Sequence, residues 1–325
     1  MREATPEAPR RAGPATDQVW VLADPRAGTA AQALGIAERL GLGFAIHPLA
    51  WGPLARLPWP LPTLAGLTAA ARAGLGGPPW PRLVLSAGRR AAPVALWLGR
   101  RGARTVHCMR PGFGAAAFDL LVIGRHDGPP EAPNILPILG ACHRLAPARL
   151  AVARAEWAAL AALPAPRVAL LVGGKPGRQG PMAPAAAAAI AARVAGFAGS
   201  VMASTSRRSG PAAAEAMAMA LAGVPHRLYR AGEAGPNPYV GFLAWADAVV
   251  VTGDSVSMLS EALATLAPVF IADPGGLGSR HRRLAESLVA AGQARPLAAA
   301  PAPFARPALD ETGRVAAAIA IRGLL

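Results

Sequence analysis

A chain of 325 residues with 33 basic and 18 acidic side chains, net charge +15, is long enough for two domains of ordinary size. Hydrophobic residues make up 53% of it, yet every long apolar run is broken by Arg, Pro or Gly before membrane-spanning length, which argues against a transmembrane helix. Two cysteines, Cys108 and Cys142, both in apolar surroundings, exclude a disulfide framework and a structural zinc site. Lys175 is the only lysine, so the charge is nearly all arginine. With aromatics at 5% and none interleaved with the Arg89, Arg90 or Arg100, Arg101 pairs, stacking on single strands is not supported. Small anionic ligands and anionic lipid surfaces rank above nucleic acid, and no nucleic-acid partner is expected.

Residues 1–17 are rich in Pro, Ala and Arg without the apolar stretch of a secretory signal, so they read as a disordered tail on a cytoplasmic protein. A β-type run at 19–23 leads through Asp24, Pro25 and Gly28 into a helical pattern at 30–40, and a second strand fits 44–48. An irregular Pro- and Trp-rich stretch, 49–80, precedes a strand at 83–86 and a helix at 89–101; further strands fit 105–108, 119–123 and 134–137. A helix near 147–163 is followed by a strand at 167–172, which runs into Gly173, Gly174, Lys175, Pro176 and Gly177 and an alanine-rich helix. Next come a strand at 200–204, a helix at 211–222, a strand at 226–229, the joining segment 237–246 and a strand at 248–252. The hydroxyl-rich Ser255, Val256, Ser257 opens a helix carrying Glu261; a strand at 269–272, a helix beginning with Arg280 to Arg283 and a last helix at 310–322 complete the chain.

Strands alternating with helices predict an α/β fold of two tandem Rossmann-like domains facing a central cleft. The expected division is 18–150 and 151–308, with 309–325 a terminal helix packing back on the first domain. Ligands of such sheets bind at the carboxyl ends of the strands.

Several of those ends carry basic or glycine-rich loops. The amides and positive dipole of the helix opening at Ser255 and Ser257, beside Gly253, suit a phosphate, and Glu261 lies about 6 Å further along the same face. Alternatively Ser255 or Asp254 simply caps the helix and Glu261 is a solvated residue. Arg207 and Arg208 after Ser204, and Arg89 and Arg90 after Gly88, put cations at helix starts, which opposes the helix dipole unless an anion is bound; solvated pairs are the alternative. Gly173 and Gly174 could let backbone approach a phosphate, although the Walker ending is absent. Arg110 is a further anion contact. Asp24 and His126 lie where a general base could project, with turn formation the ordinary role for Asp24. No hydrolase elbow, zincin helix or Cys-x-x-Cys pair is present, no metal ligands are expected, and the first strand lacks the dinucleotide glycine turn.

Six segments carry a resemblance: Ser86-Ala-Gly-Arg-Arg90, Val106-His-Cys-Met-Arg-Pro111, Phe118-Asp-Leu-Leu-Val-Ile123, Ser204-Thr-Ser-Arg-Arg208, Asn237-Pro-Tyr239 and Thr252-Gly-Asp-Ser-Val-Ser-Met-Leu-Ser-Glu261. In this order they resemble the mitochondrial fission ELM (elongated mitochondria) family, whose plant founder is associated with recruiting a dynamin-related protein and whose bacterial members are sometimes labelled sugar-nucleotide epimerases. More distantly, the layout is similar to GT-B glycosyltransferases. That resemblance implies a nucleotide-sugar donor held in the second domain, with Glu261 on the ribose and Gly173 and Gly174 in the glycine loop, and no cofactor or dedicated metal. It implies a metal-independent glycosyltransferase acting on a lipid-linked or other cell-envelope acceptor at the inner face of the membrane, and the arginine richness is compatible with peripheral contact to anionic lipid there. A non-catalytic adaptor that recruits partners is the alternative, and a nucleotide-sugar epimerase a third.

Overall fold

The computed structural model describes residues 18–57, 59–174, 180 and 182–325. The tail at 1–17 and the loop positions Lys175, Pro176 and Gly177 lie outside the described residues. The chain divides into two compact units: one takes the residues up to Ile123 with Pro130–Leu136 and Thr312–Leu325, the other Gly124–Pro129 and Pro137–Glu311.

The first unit is built on a six-stranded sheet. Strands β1 (Val19–Ala23), β2 (Phe44–Pro48), β3 (Leu83–Ala87), β4 (Arg104–Cys108), β5 (Leu120–Gly124) and β6 (Ile135–Ile138) lie in the order β2-β1-β3-β4-β5-β6. The registers are parallel, with Val21 opposite both Ile46 and Leu85. Its helices are α1 (Ala27–Leu40), α2 (Ala69–Ala73) and α3 (Ala92–Gly99). The helix expected over 89–101 is shorter because Pro93 occupies its first turn; Gly88, with φ +84°, turns the chain there, so Arg89 and Arg90 sit in the connecting loop. Within 49–80, Trp51 and Leu67 form an antiparallel bridge and Pro53–Arg56 make a 3₁₀ turn.

The second unit repeats the plan. After α4 (Pro147–Glu156) and a 3₁₀ turn at Ala158–Ala162 come β7 (Arg167–Val172), α5 (Pro184–Ala195), β8 (Ser200–Thr205), α6 (Pro211–Leu221) and β9 (His226–Tyr229). The chain continues through α7 (Tyr239–Trp245), β10 (Ala248–Thr252), α8 (Val256–Leu263), β11 (Val269–Ala272), α9 (Ser279–Ala290) and β12 (Arg295–Pro296); the last helix, α10 (Glu311–Ile321), belongs from Thr312 onward to the first unit. The joining segment expected at 237–246 is thus mostly helix, started by the Asn237 side chain, which accepts from the Tyr239 amide at 3.0 Å. The strands lie β12-β11-β10-β7-β8-β9, all parallel.

Both sheets are α/β sheets of the doubly wound type. Alternate residues of the central strands feed opposite cores: Leu171 and Val251 pack with Phe242 and Leu284, while Leu170 and Val250 pack with Ile190 and Met217. Burial on both faces explains why β7 and β10 read as unbroken apolar runs. Strand order reverses between β7 and β10, so the loops leaving their carboxyl ends part in opposite directions and leave a crevice between them. Among the described residues no helix is long and apolar enough to cross a membrane.

Helix α8, which leaves β10 at that crevice, is fixed by one buried cation. The Arg306 guanidinium donates to the carbonyls of Ala262 and Leu263 at 3.1 and 3.0 Å, to that of Ala267 at 3.0 Å and to Thr265 Oγ1 at 3.4 Å. It therefore meets the last carbonyls and the negative dipole at the end of α8, alongside the Leu309 and Thr265 amides that also reach them. Burial pushes its pKa down to about 10, which leaves it charged at neutral pH. Arg306→Met should cost about 1–3 kcal/mol by removing this shared donor, the Leu263 carbonyl keeping the Leu309 amide and the Ala262 carbonyl the Thr265 amide, and Arg306→Lys should recover only part of that, as read by urea denaturation.

Candidate functional site

The crevice at the β7 and β10 ends is closed from below by backbone. The Gly173 amide donates to Thr252 Oγ1 at 2.7 Å, and the Asp254 carboxylate stands where a β-carbon on Gly173 would be. Gly174 is packed as closely against Ser206 Oγ and the Arg208 and Ser209 backbone. Glycine is therefore required at both positions for a steric reason; their φ angles are ordinary.

The loop after β8 is braced to the same place by hydroxyls. Ser209 Oγ donates to the Gly173 carbonyl at 2.9 Å and accepts from the Ser206 amide at 3.0 Å, while Ser206 Oγ accepts from the Arg208 amide at 3.2 Å. Ser204 is buried in β8 below this loop, and Arg207 and Arg208 are exposed on it. Two cations thus project from a rigid turn.

On the other side of the crevice α8 begins at Val256. Ser255 caps it, its side chain accepting from the Met258 amide at 3.4 Å, so the capping expected of Ser255 is real. Gly253, whose amide donates to the Ala272 carbonyl, and buried Asp254 form the turn before it. The amides of Val256 and Ser257 lie in the first turn, where no helical carbonyl reaches. Ser260 pins the helix, accepting from the Ala141 amide at 2.9 Å and donating to the Val256 carbonyl at 2.8 Å.

Glu261, one turn beyond Ser257, does not simply face solvent. Tyr239 Oη donates to its Oε2 at 2.6 Å. Burial pushes the carboxyl up, with the tyrosine bond and the Arg149 charge opposing it, and the same environment raises the Tyr239 phenol well above its ordinary value. One carboxylate oxygen is thus oriented by the protein.

A cluster at the start of α9 completes this side. Arg280 donates to both oxygens of Asp127, at 2.5 and 3.0 Å, and approaches His126 Nε2 at 3.2 Å; Arg283 Nε donates to the His126 carbonyl at 3.1 Å. His126 is buried, its pKa lowered to about 4 by desolvation, then by Arg280, His281 and Arg283, against the opposing charge of Asp127. Desolvation also lowers His281, with Arg280 and Arg208 adding to the effect and Asp254 and Asp127 opposing it. Residues from the β8 loop, the β10 turn and α9 are therefore within one another's electrostatic reach.

Asp24, Arg89, Arg90 and Arg110 belong to the first unit. There the buried Asp24 accepts from the Arg26 amide and Nε, each at 2.9 Å, and from Trp51 Nε1 at 3.2 Å. Burial alone would raise its pKa, and these bonds outweigh that and hold it below the ordinary value. Arg89 lies against Gly112, whose φ is +92°, and the Arg89, Arg90 and Arg110 side chains are exposed at the ends of β3 and β4.

The structure thus gathers Gly173, Gly174, Ser204, Arg207, Arg208, Gly253, Ser255, Ser257 and Glu261 at one end of one sheet. Sequence reasoning missed Tyr239 as the partner of Glu261, and the bracing by Ser206 and Ser209; the signals were Asn237-Pro-Tyr239 and the serine spacing after β8. It also left open the place of His281.

Comparison with known proteins places this geometry in context. The family described as Mitochondrial fission ELM1 matches residues 27–322. The Arabidopsis thaliana protein named Mitochondrial fission protein ELM1 is 28% identical over 219 residues, 59% of this chain and 51% of that protein, so the chain spans about half the length of this relative. UDP-GlcNAc 2-epimerase from Neisseria meningitidis, in a structure bound to UDP-GlcNAc, superposes with TM-score 0.51 at 12% identity, covering 94% of this chain and 99% of that one. The Methanocaldococcus jannaschii UDP-GlcNAc 2-epimerase gives 0.50 at 12% identity, over 93% and 99%. These likenesses establish the fold.

Two tests follow from the site. Gly173→Ala must displace the Asp254 carboxylate, and a loss of roughly 1–3 kcal/mol in denaturant stability is expected. His126 is harder to protonate folded than unfolded, so its contribution to stability is intact above about pH 6.5 and falls until about pH 4, by about 3 kcal/mol. His126→Gln should flatten that part of the curve of stability against pH.

Proposed function

The chain belongs to the mitochondrial fission ELM1 family, and from that premise we propose that its second unit binds a nucleoside diphosphate sugar and that the protein transfers the sugar to an acceptor hydroxyl. The observation that carries this reading is the convergence of a helix start, a backbone-lined crevice and the cations Arg207 and Arg208, with the neutral imidazole of His281 in reach, at one strand end, and an oriented carboxylate one helical turn away. A diphosphate would take the Val256 and Ser257 amides, with Arg207 and Arg208 balancing its charge and the His281 imidazole available as a hydrogen-bond donor. Glu261 would accept from ribose hydroxyls, the Tyr239 bond keeping its carboxylate turned to them.

In the transfer, the acceptor oxygen forms a bond to the anomeric carbon while the bond from that carbon to the diphosphate oxygen breaks. The electron pair leaves with the diphosphate, where the arginines stabilise it, and the acceptor proton passes to a base. His126 is the candidate base within the second unit; Asp24 belongs to the first unit, where Arg26 and Trp51 already hold its carboxylate. Each has a lowered pKa, so each is unprotonated at neutral pH and weakly basic. Such bases suit a reaction in which leaving-group departure runs ahead of proton loss. The fold is equally compatible with epimerisation of the same donor.

An adaptor that recruits partners without catalysis is the second reading, favoured by the family match and by the name of the plant relative. Calorimetric titration with UDP-, GDP-, ADP- and CMP-sugars separates the two. One nucleotide sugar should bind, and Glu261→Ala or Arg208→Ala should weaken it by roughly tenfold to a hundredfold with the fold intact. Absence of binding by the wild-type chain to all of them would sink the donor-site reading.

A further inference from the structure

The first unit carries a surface that the donor site does not use. From residue 49 to residue 116 the chain has nine arginines, no lysine and no carboxylate. Elsewhere in this protein acidic residues pair with arginine, as Asp247 does with Arg167, and Arg104 of this segment takes its partner, Asp119, from just beyond it. In this segment no such partner exists within it.

The same segment exposes large apolar side chains. Leu54, Leu57, Leu61 and Phe113 are 48%, 52%, 63% and 52% exposed. Their backbone is held: the Gly52 amide donates to the Gly66 carbonyl at 3.0 Å, the Thr63 amide to the Pro93 carbonyl at 3.1 Å, and Trp59 Nε1 to the Leu54 carbonyl at 2.9 Å. These bonds fix a loop whose apolar residues point away from the core. Leu57, Trp59, Pro93 and Phe113 line a cavity of about 70 Å³ together with Arg89 and Arg90, and Arg56 is exposed between Leu54 and Leu57. Leucines, an aromatic ring and arginines of one sign thus share one patch.

We propose that this patch docks the protein on an anionic phospholipid surface. A protein partner presents charges of both signs, whereas a leaflet of anionic lipid presents one, which fits exposed arginines drawn from a segment without carboxylates. Arg56, Arg89 and Arg90 meet the headgroups, while Leu54, Leu57, Leu61 and Phe113 insert at the acyl boundary and Trp59 sits at headgroup depth. A nucleic acid would satisfy the arginines but offers nothing to three exposed leucines, since its affinity for apolar residues comes through stacking on aromatic rings. The docking surface lies wholly in the first unit and is independent of what the second unit binds.

The full chain should sediment with vesicles of mixed phosphatidylcholine and phosphatidylglycerol and stay in solution with phosphatidylcholine alone. Arg89→Ala and Arg90→Ala should each weaken partitioning by roughly fivefold, and the Leu57→Ser, Leu61→Ser, Phe113→Ser triple variant by more than tenfold, roughly the worth of the apolar area it withdraws. Met219→Ser and Leu266→Ser, still more exposed positions of the second unit, should change nothing. Failure of the wild type to bind either vesicle, unaltered binding by the triple variant, or equal losses in the second-unit controls would each overturn the proposal. As a measurement on folded wild-type protein, tryptophan emission should shift to the blue on anionic vesicles, and Trp59→Phe should reduce that shift; a shift unaffected by Trp59→Phe would count against the orientation. A negative result here leaves nucleotide-sugar titration untouched, and failure of that titration leaves the vesicle result standing.

Discussion

The geometry of the second unit depends on how one eight-residue helix is held. Arg306 brings a full charge into a buried position to meet the carbonyls at the end of α8. Ser255 caps the opposite end, and Ser260 ties the middle to the Ala141 amide. A short helix gains little from its own hydrogen bonds, so its orientation comes from these attachments. Because they are fixed, the Val256 and Ser257 amides point into the crevice and Glu261 meets Tyr239. A cation at the end of α8 also complements its dipole, leaving the positive start directed at the open side.

The crevice is a consequence of strand order. With β7 and β10 adjacent, the loops that leave them diverge, and glycine at 173 and 174 lets backbone come within contact of Asp254 and the β8 loop. What surrounds the crevice is mostly cationic. Arg208, Arg280 and His281 act on one another, and the lowered pKa of His281 and of His126 reflects that crowding on top of desolvation. The histidines avoid the repulsion by staying neutral, and Arg207 and Arg208 are left as the exposed cations on which the proposal of a diphosphate rests. The Arg280 pairing with Asp127 offsets part of the repulsion and keeps α9 close.

The two units use arginine differently. In the second, arginines gather around backbone amides and a carboxylate, where planar, directional bonds to an anion are available. In the first, they lie among exposed leucines with no carboxylate in the segment, where only a broad negative surface complements them. The composition that gives the chain its overall charge of +15 therefore conceals two separate local patterns.

The sequence by itself determined the α/β alternation, because buried parallel strands must be apolar runs bounded by helix starts: β1, β2, β7, β9 and β11 lie where such runs were read. It also showed a capped helix after β10 with a carboxylate one turn on, since capping and helical spacing are local chemistry. Tertiary structure alone decided the partners. Tyr239 lies 22 residues before Glu261, Arg306 reaches Ala262 across 44, and Arg280 meets Asp127 across 153. Nothing in a local pattern fixes such pairings, because they follow from the order of strands in the sheet. Likewise no rule of turns makes Gly173 obligatory; the approaching Asp254 carboxylate does. The sequence could list the exposed leucines and arginines of the first unit, but only the backbone bonds of residues 52–67 decided that they would be presented together.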